Sequence, residues 1–225
     1  MELELGHAQL GKRYLSRYIS GLKSKGFGRD VETSIAVLEL GCIAKVEPDR
    51  ELLEFARTLA ASVIPPGQEN LPEGAGYSFI CAGLGLAATL LGDRELAGRL
   101  RRYHAEHDEF WTPGVHPTRR RLLGLLDLTL GNHDAAVGEL EQTLADYAAQ
   151  QPGPNPAWIL SELAEALLAR GRQGDVARAT ELLHEGLAMA TTLGMVPLQD
   201  RYRSLAARIP APSRRQPRRG PAAPR

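Results

Sequence analysis

The stretch Cys81-Ala-Gly-Leu-Gly-Leu-Ala-Ala-Thr-Leu-Leu-Gly92-Asp-Arg-Glu-Leu-Ala97 contains the pattern that decides the fold of this chain. An apolar run with a Leu-Gly step in its middle is followed, seven residues later, by a Gly-Asp turn and a second run. Glycine tolerates the left-handed conformation that ends helices, and aspartate caps the next helix, so the stretch predicts two antiparallel helices. The step and its turn residue recur about every forty residues, as Leu40-Gly41 with Pro48, Leu123-Gly124 with Gly131, and Leu163-Ala164 with Gly171.

The regular spacing of these steps predicts an all-α solenoid of about four helix-turn-helix repeats. A fixed period of 20–50 residues is typical of units that bury their apolar faces by stacking on one another. Apolar side chains recur every three to four positions, and no stretch alternates as a half-buried strand does. We expect the small residue of each step to let the partner helix approach closely. The predicted helices are 2–24, the pairs 31–46 with 49–63, 76–91 with 93–109, 118–130 with 133–150 and 157–170 with 176–193, and a cap helix at about 196–208.

Composition divides the chain into an N-terminal helix in 1–30, helical repeats and cap helix in 31–209, and a tail in 210–225. The tail has five Arg, five Pro and no acidic residue, so we expect it to be disordered. The remaining 22 basic and 27 acidic side chains make the body mildly acidic. The tail could neutralise nucleic-acid phosphates, but it has no aromatic side chain for base stacking.

Hydropathy and the pattern of the first residues favour a cytoplasmic protein without a membrane partner. Hydrophobic residues make up 43% of the 225 positions, yet no stretch offers eighteen uninterrupted apolar residues. The first residues also lack the layout of a secretion signal. Cys42 and Cys81 each lie in an apolar helical stretch, where small buried side chains are expected; the alternative is a disulfide or a metal pair.

The paired helices resemble the tetratricopeptide repeat, in which a glycine at the turn is followed five residues later by an alanine. Gly92 with Ala97 and Gly131 with Ala136 match that spacing. The fourth copy reaches its alanine, Ala179, three residues late, and the first copy has Pro48 at the turn and leucine where the alanine is expected. The resemblance covers about residues 31–193 and implies a non-enzymatic module that binds other molecules in a concave groove.

The last third shows a narrower resemblance to the helical region of bacterial LuxR-type and cyclase-linked regulators. It rests on Leu167-Leu-Ala-Arg-Gly171, Ala179-Thr-Glu-Leu-Leu183 and Ala190-Thr-Thr-Leu-Gly-Met195. In those regulators an NTPase module precedes the repeats, and in LuxR-type proteins a Pro/Arg-rich linker leads to a helix-turn-helix domain. The chain has neither a phosphate-binding loop motif nor a recognition helix after residue 209, so the resemblance implies a role in transcriptional regulation without direct DNA binding.

The tetratricopeptide resemblance also implies which residues line the groove. The expected partner is a protein or peptide segment, or a small effector. Trp158 is the strongest single candidate because tryptophan is enriched in binding hot spots, although a buried plug between repeats is an equal alternative. The residues that the repeat frame places on this surface are Lys45, Phe79, Leu86, Arg121, Leu125, Trp158, Ser161 and Glu165.

The run Arg119-Arg120-Arg121 at a helix start allows two interpretations. It is either a solvated surface or a contact for an anionic partner such as a carboxylate-bearing peptide. In both cases the side chains are expected to be exposed, so Arg121→Glu is expected to leave stability nearly intact.

Two patterns could indicate other chemistry. The segment Gly83–Ala88 satisfies a loose dinucleotide fingerprint and would suggest an oxidoreductase if an apolar strand preceded it. His104, His107 and His116 form a small imidazole cluster without the four-residue spacing of zinc-protease helices. We therefore expect no enzymatic activity, no cofactor and no metal. A further alternative is that the chain is a non-functional remnant of a longer regulator.

Overall fold

The computed structural model describes residues 3, 5–25, 31–46, 49–62, 64, 75–107, 118–148 and 153–209, which form helices and no strand. The fold is therefore all-α, as the apolar spacing predicts. In these ranges the elements are α1 (Ala8–Lys25), α2 (Val31–Val46), α3 (Arg50–Ala61), α4 (Ala75–Leu91), α5 (Arg94–Glu106), α6 (Arg119–Leu130), α7 (His133–Ala148), α8 (Pro154–Arg170), α9 (Asp175–Thr192) and α10 (Val196–Ala207).

Contacts run between neighbours along the chain. The helix α2 packs on α3 and α4, α4 on α5 and α6, α6 on α7 and α8, and α8 on α9 and α10. Each predicted pair corresponds to two observed helices whose ends differ from the predicted ones by at most a few residues. The predicted tail, residues 210–225, lies outside the described residues. Among the residues described, no helix is long and apolar enough to cross a bilayer.

The first helix begins later than predicted. Residues 3, 5 and 6 form a turn, and Gly6 has a φ of +81°, a left-handed conformation that interrupts a helix. From Ala8 onward α1 packs one side on the protein, and its apolar side chains there are Leu15, Tyr18, Ile19 and Leu22. The hydroxyl of Tyr18 donates to Glu39 at 2.6 Å, so a hydrogen bond also joins α1 to α2.

Glycines allow α2 and α4 to approach each other closely. A Cβ added to Gly83 would lie 2.4 Å from the carbonyl oxygen of Val37, and one added to Gly41 would lie 3.0 Å from the carbonyl oxygen of Gly83. Any side chain at position 83 would therefore collide with the backbone of α2. The backbones of α2 and α4 are therefore in direct contact, and this contact helps to set the position of the C-terminal end of α2.

The small residues of the Leu-Gly steps face neighbouring helices as expected, but the neighbour is not always the partner in the same pair. Gly85 lies against Leu122 of α6, which belongs to the next pair, whereas Gly124 lies against Leu140 of its own partner α7. Ala164 is fully buried. The small residue of the step therefore contacts the first helix of the next pair at Gly85, and the second helix of its own pair at Gly124.

Capping side chains define the turns. Asp93 accepts a hydrogen bond from the amide of Leu96 at 3.0 Å, and Gly92 before it has a φ of +67°, as the Gly-Asp turn predicts. In the fourth pair the sequence Gly174-Asp175 resembles this turn, but Gly174 instead of the aspartate occupies the cap position of α9. Asp175 instead accepts from the amide of Arg172 at 2.8 Å and pairs with Arg170, so it closes the longer loop.

The buried side chains form two apolar cores. One extends from α2 to α6 and includes Leu40, Leu100 and Leu126; the other extends from α7 to α10 and includes Leu140 and Tyr202. Val46 at the end of α2 packs against the second core. The C-terminal end of α2 therefore reaches the second half of the molecule.

Candidate functional site

Three charged side chains from α2, α6 and α8 meet in the interior. The carboxylate of Glu162 is fully buried and accepts two hydrogen bonds from Arg121, from Nε at 2.7 Å and from Nη2 at 2.9 Å. The Nζ of Lys45 donates to the same carboxylate. We call Lys45, Arg121 and Glu162 the charge cluster; it joins segments that lie as much as 117 residues apart.

Polar and aromatic groups of α8 complete the surroundings of the charge cluster. The Nζ of Lys45 lies 4.5 Å from the ring centroid of Trp158, a distance typical of a cation–π interaction. Arg121 also donates from Nη1 to the side-chain oxygen of Asn155 at 3.1 Å. The first turns of α8 therefore supply a carboxylate, an amide oxygen and an aromatic face to two cations.

Helix α10 and the residue that follows it add two more cations beside the cluster. Arg201 donates from Nε to the hydroxyl of Ser161 at 3.2 Å and from Nη2 to Glu165 at 2.6 Å, and Arg208 donates to Glu165 at 3.1 Å. Ser161 donates in turn to the carbonyl of Trp158 at 2.8 Å. The carboxylates of α8 thus face cations from α2, α6 and α10.

The local sequence explains why three successive arginines behave differently. Thr118 caps α6, and the next three side chains leave the first helical turn in three directions. Arg119 donates to the carbonyls of His104 and Ala105 at the end of α5, and Arg120 points outward to Glu139 at 3.1 Å. Arg121 alone turns inward, because a rotation of about 100° per residue separates each side chain from the next.

Electrostatics perturb the pKa of each member of the cluster. Burial and the neighbouring Arg121 lower the pKa of Lys45 to about 7, although Glu162 opposes this change. Burial alone would raise the pKa of Glu162, but Arg121 and Lys45 lower it to about 2. Burial would lower the pKa of Arg121, but Glu162 raises it. The Arg121–Glu162 pair is therefore charged at neutral pH, and Lys45 titrates there.

The charge cluster has one more cation than it has carboxylates. The side chains of Arg121 and Lys45 are only 4% and 14% exposed, and that of Glu162 is 0% exposed. Desolvating an ion is costly unless it is paired, and a bidentate arginine already satisfies the carboxylate. We therefore expect Lys45 to reduce the stability of the fold.

The structure brings together five of the eight predicted groove residues, Lys45, Arg121, Trp158, Ser161 and Glu165. The other three lie elsewhere: Leu86 and Leu125 are buried in the first core, and Phe79 is half-buried against it. Trp158 is 6% exposed, so its ring faces the interior as well as Lys45.

The expectation that Arg121 is exposed is wrong. Its side chain is buried against Glu162, so Arg121→Glu would place two carboxylates side by side in the interior. That substitution must therefore destabilise the fold instead of leaving it intact. The run of three arginines misled the sequence analysis because two of the three do lie at the rim of the molecule.

Sequence analysis missed Glu162, Asn155 and Arg201. A signal for Glu162 was present, because it lies one helical turn after Trp158 and one before Ala166 on the apolar face of α8. A charged residue on a buried helix face requires an opposite charge. No comparable signal marks Arg201, which reaches the site only because α10 folds back on α8.

The alternative sites do not form in the described residues. The segment Gly83–Ala88 lies within α4, and no strand precedes it, so the backbone of a dinucleotide-binding turn is missing. Cys42 and Cys81 are not joined in a disulfide, and Cys81 is buried. His107 stacks on Tyr103 at 4.4 Å, and His116 lies outside the described residues. No group of three His, Cys, Asp or Glu in the described ranges could hold a metal ion.

The burial of His104 leads us to expect a loss of stability in acid. The side chain is fully buried, and burial lowers its pKa from 6.5 to about 4. Since the unfolded chain binds a proton below about pH 6.5 and the folded chain does not, stability is lost as the pH falls through this window. We expect wild type to lose roughly 3 kcal/mol more than His104→Leu between pH 7 and pH 4. Urea unfolding of both proteins across this range would measure it; parallel pH profiles would contradict the assignment.

Comparison with protein-family models, with curated proteins and with solved structures finds no match.

Proposed function

We propose that this chain is a non-enzymatic, tetratricopeptide-like solenoid that binds a protein segment or a small anionic effector. We further propose that it serves as an interaction or sensory module related to bacterial LuxR-type transcriptional regulators. The regulator relationship is supported by the sequence resemblance of the last third of the chain. The binding role is supported by the charge cluster and its surroundings.

The repeat interpretation is supported by how the helical pairs meet. Each pair contacts the next along the chain, and small residues stand where the first helices approach their neighbours. The first helices α2, α6 and α8 supply all three members of the charge cluster. In a tetratricopeptide array the first helices line the groove, so the cluster would lie at its floor.

The observation that carries the binding proposal is the surplus cation. Lys45 lies between the carboxylate of Glu162 and the ring of Trp158, yet remains 14% exposed. An anion arriving at this point would pair with Lys45 and balance the cluster. Binding energy of this kind offsets the stability lost in the free protein, because active and binding sites commonly reduce stability.

We expect Lys45→Met to stabilise the protein. Met has a similar length and no charge, so the substitution removes a buried ion and leaves the Arg121–Glu162 pair intact. The free energy of unfolding at pH 7 should rise by about 1–3 kcal/mol. Because the pKa of Lys45 is about 7 in the fold and higher in the unfolded chain, wild-type stability rises with pH above 7. Urea unfolding should therefore show a smaller difference in the free energy of unfolding between wild type and Lys45→Met at pH 9 than at pH 7. A variant less stable than wild type at pH 7 would contradict the prediction.

Thermal-shift measurements test the binding role directly. The probes are mono- and dicarboxylates, phosphate esters and peptides with acidic ends. A probe present at about 100 times its Kd should add roughly 2.7 kcal/mol to wild-type stability. The gain should be lost in Lys45→Met and kept in Arg120→Met, which removes an exposed cation from the same helix start as Arg121. Equal responses in wild type and Lys45→Met, or no stabilising probe, would reject the proposed function.

A further inference from the structure

Helix α1 is the most basic element of the described chain. Its 18 residues include five basic side chains and no acidic one, and three of the four lysines of the whole protein lie on it. The body outside the tail is otherwise mildly acidic. Because salt screens charges beyond about 8 Å, a local surface of this kind acts on a partner independently of the net charge of zero.

The basic residues share the outward face of α1 with small hydroxyl residues. Helical spacing places Arg13 and Arg17 in one row with two serines, and Lys12 and Lys23 in the adjacent row with a third serine. All of these side chains are exposed. We call this surface the basic face; its members are Lys12, Arg13, Ser16, Arg17, Ser20, Lys23 and Ser24.

Arg13 and Arg17 of the basic face differ from the exposed arginines that form ion pairs. Exposed arginines such as Arg120, Arg172 and Arg178 pair with carboxylates within 4 Å. Within the ranges that the structure describes, Arg13 and Arg17 make neither an ion pair nor a hydrogen bond with another residue. Their charges therefore remain available to a partner.

The opposite side of α1 holds the basic face in place. Its apolar side chains pack on the first core, and Tyr18 is tied to Glu39. Lys23 lies 5.2 Å from the ring centroid of Phe55 on α3. The basic face therefore lies on the side of α1 opposite its contacts with the first core.

We propose that the basic face of α1 binds the phosphate backbone of double-stranded nucleic acid without reading its sequence. Its four cations extend over about 16 Å of helix, along which a DNA duplex has about ten phosphates. Serine hydroxyls between the cations are common donors to phosphate oxygens. A lipid surface fits less well, because the apolar side of α1 is packed on the protein and only Tyr14 is a large exposed hydrophobic residue on this helix.

The experiment measures anisotropy of a labelled DNA duplex of about 20 base pairs, and of an RNA duplex of the same sequence, over a range of salt concentrations. The full chain is compared with Arg13→Gln/Arg17→Gln and with the matched control Arg178→Gln/Arg203→Gln. The control removes two exposed arginines that already pair with Glu181 and Asp200. Thermal melting verifies that both variants are folded.

We expect the wild type to bind at least one duplex with a steep salt dependence. The α1 variant should bind about tenfold more weakly, and its slope of log K against log salt should be smaller by about 2, since each lost phosphate contact removes about 0.9. The control should match wild type. Unchanged affinity and slope in the α1 variant would assign binding to the Arg-rich residues 210–225 and overturn the proposal. Binding to phosphatidylserine vesicles without binding to either duplex would also overturn the proposal.

Discussion

We expect Glu162→Gln to be among the most destabilising single substitutions in this protein. The change keeps the shape of the side chain and removes only its charge, which leaves Arg121 and Lys45 buried without a counter-ion. Lys45 can lose its proton, but arginine cannot at any ordinary pH. Breaking a buried pair in this way costs about 3–5 kcal/mol, which is a large part of the stability of a typical domain.

Glu165→Gln is the matched control for this prediction. Glu165 lies on the same helix, pairs with Arg201 and Arg208, and is 27% exposed. Its partners reach solvent when the carboxylate is removed, so the expected loss is about 1 kcal/mol or less. Urea unfolding at pH 7 compares the two variants. Equal losses, or a small loss for Glu162→Gln, would mean that the charge cluster is not buried as described.

The second large effect is expected at Gly83. Alanine is normally the better helix former by about 1 kcal/mol, so Gly83→Ala would stabilise an isolated helix. In the fold its Cβ would lie 2.4 Å from the carbonyl oxygen and 2.5 Å from the carbonyl carbon of Val37. Because backbone atoms cannot rotate away, α2 must move, and we expect a net loss of about 3 kcal/mol.

Gly138→Ala is the matched control, for which we expect a gain in stability instead of a loss. Gly138 also lies within a helix, α7, but an added Cβ would find nothing within 4 Å. This substitution should stabilise the protein by up to about 1 kcal/mol. Thermal melting of the two variants tests whether α2 and α4 meet backbone to backbone. A rise in the melting temperature of Gly83→Ala would show that they do not.

The helices could be predicted because their determinants are local. Three-to-four spacing of apolar residues marks each helix, and turns such as Gly92-Asp93 contain both the left-handed residue and the cap. Both features act within a few residues, so a single sequence displays them. The start of α1 was predicted too early because Leu3 lies two helical turns before Leu10 and continues the apolar spacing, whereas Gly6 adopts a positive φ.

The charge cluster could be predicted only in part, because burial of a charge depends on distant segments. The repeat frame selected Lys45 and Arg121, but nothing local tells that Lys45 reaches a carboxylate 117 residues away. The frame also selected Leu86 and Leu125, which belong to the first core. Equivalent repeat positions therefore differ in exposure, since Leu86 and Leu125 are buried whereas Lys45 keeps a small exposed fraction.

The sign of two stability changes tests the central claim most directly. The claim is that α2, α6 and α8 bury the carboxylate of Glu162 with two cations, Arg121 and Lys45, although Arg121 alone can pair with it. We predict that, at pH 7, Lys45→Met raises the free energy of unfolding by about 1–3 kcal/mol while Glu162→Gln lowers it by about 3–5 kcal/mol. A loss of similar size in both variants would show that Lys45 and Glu162 form an ordinary stabilising pair, and would contradict the account.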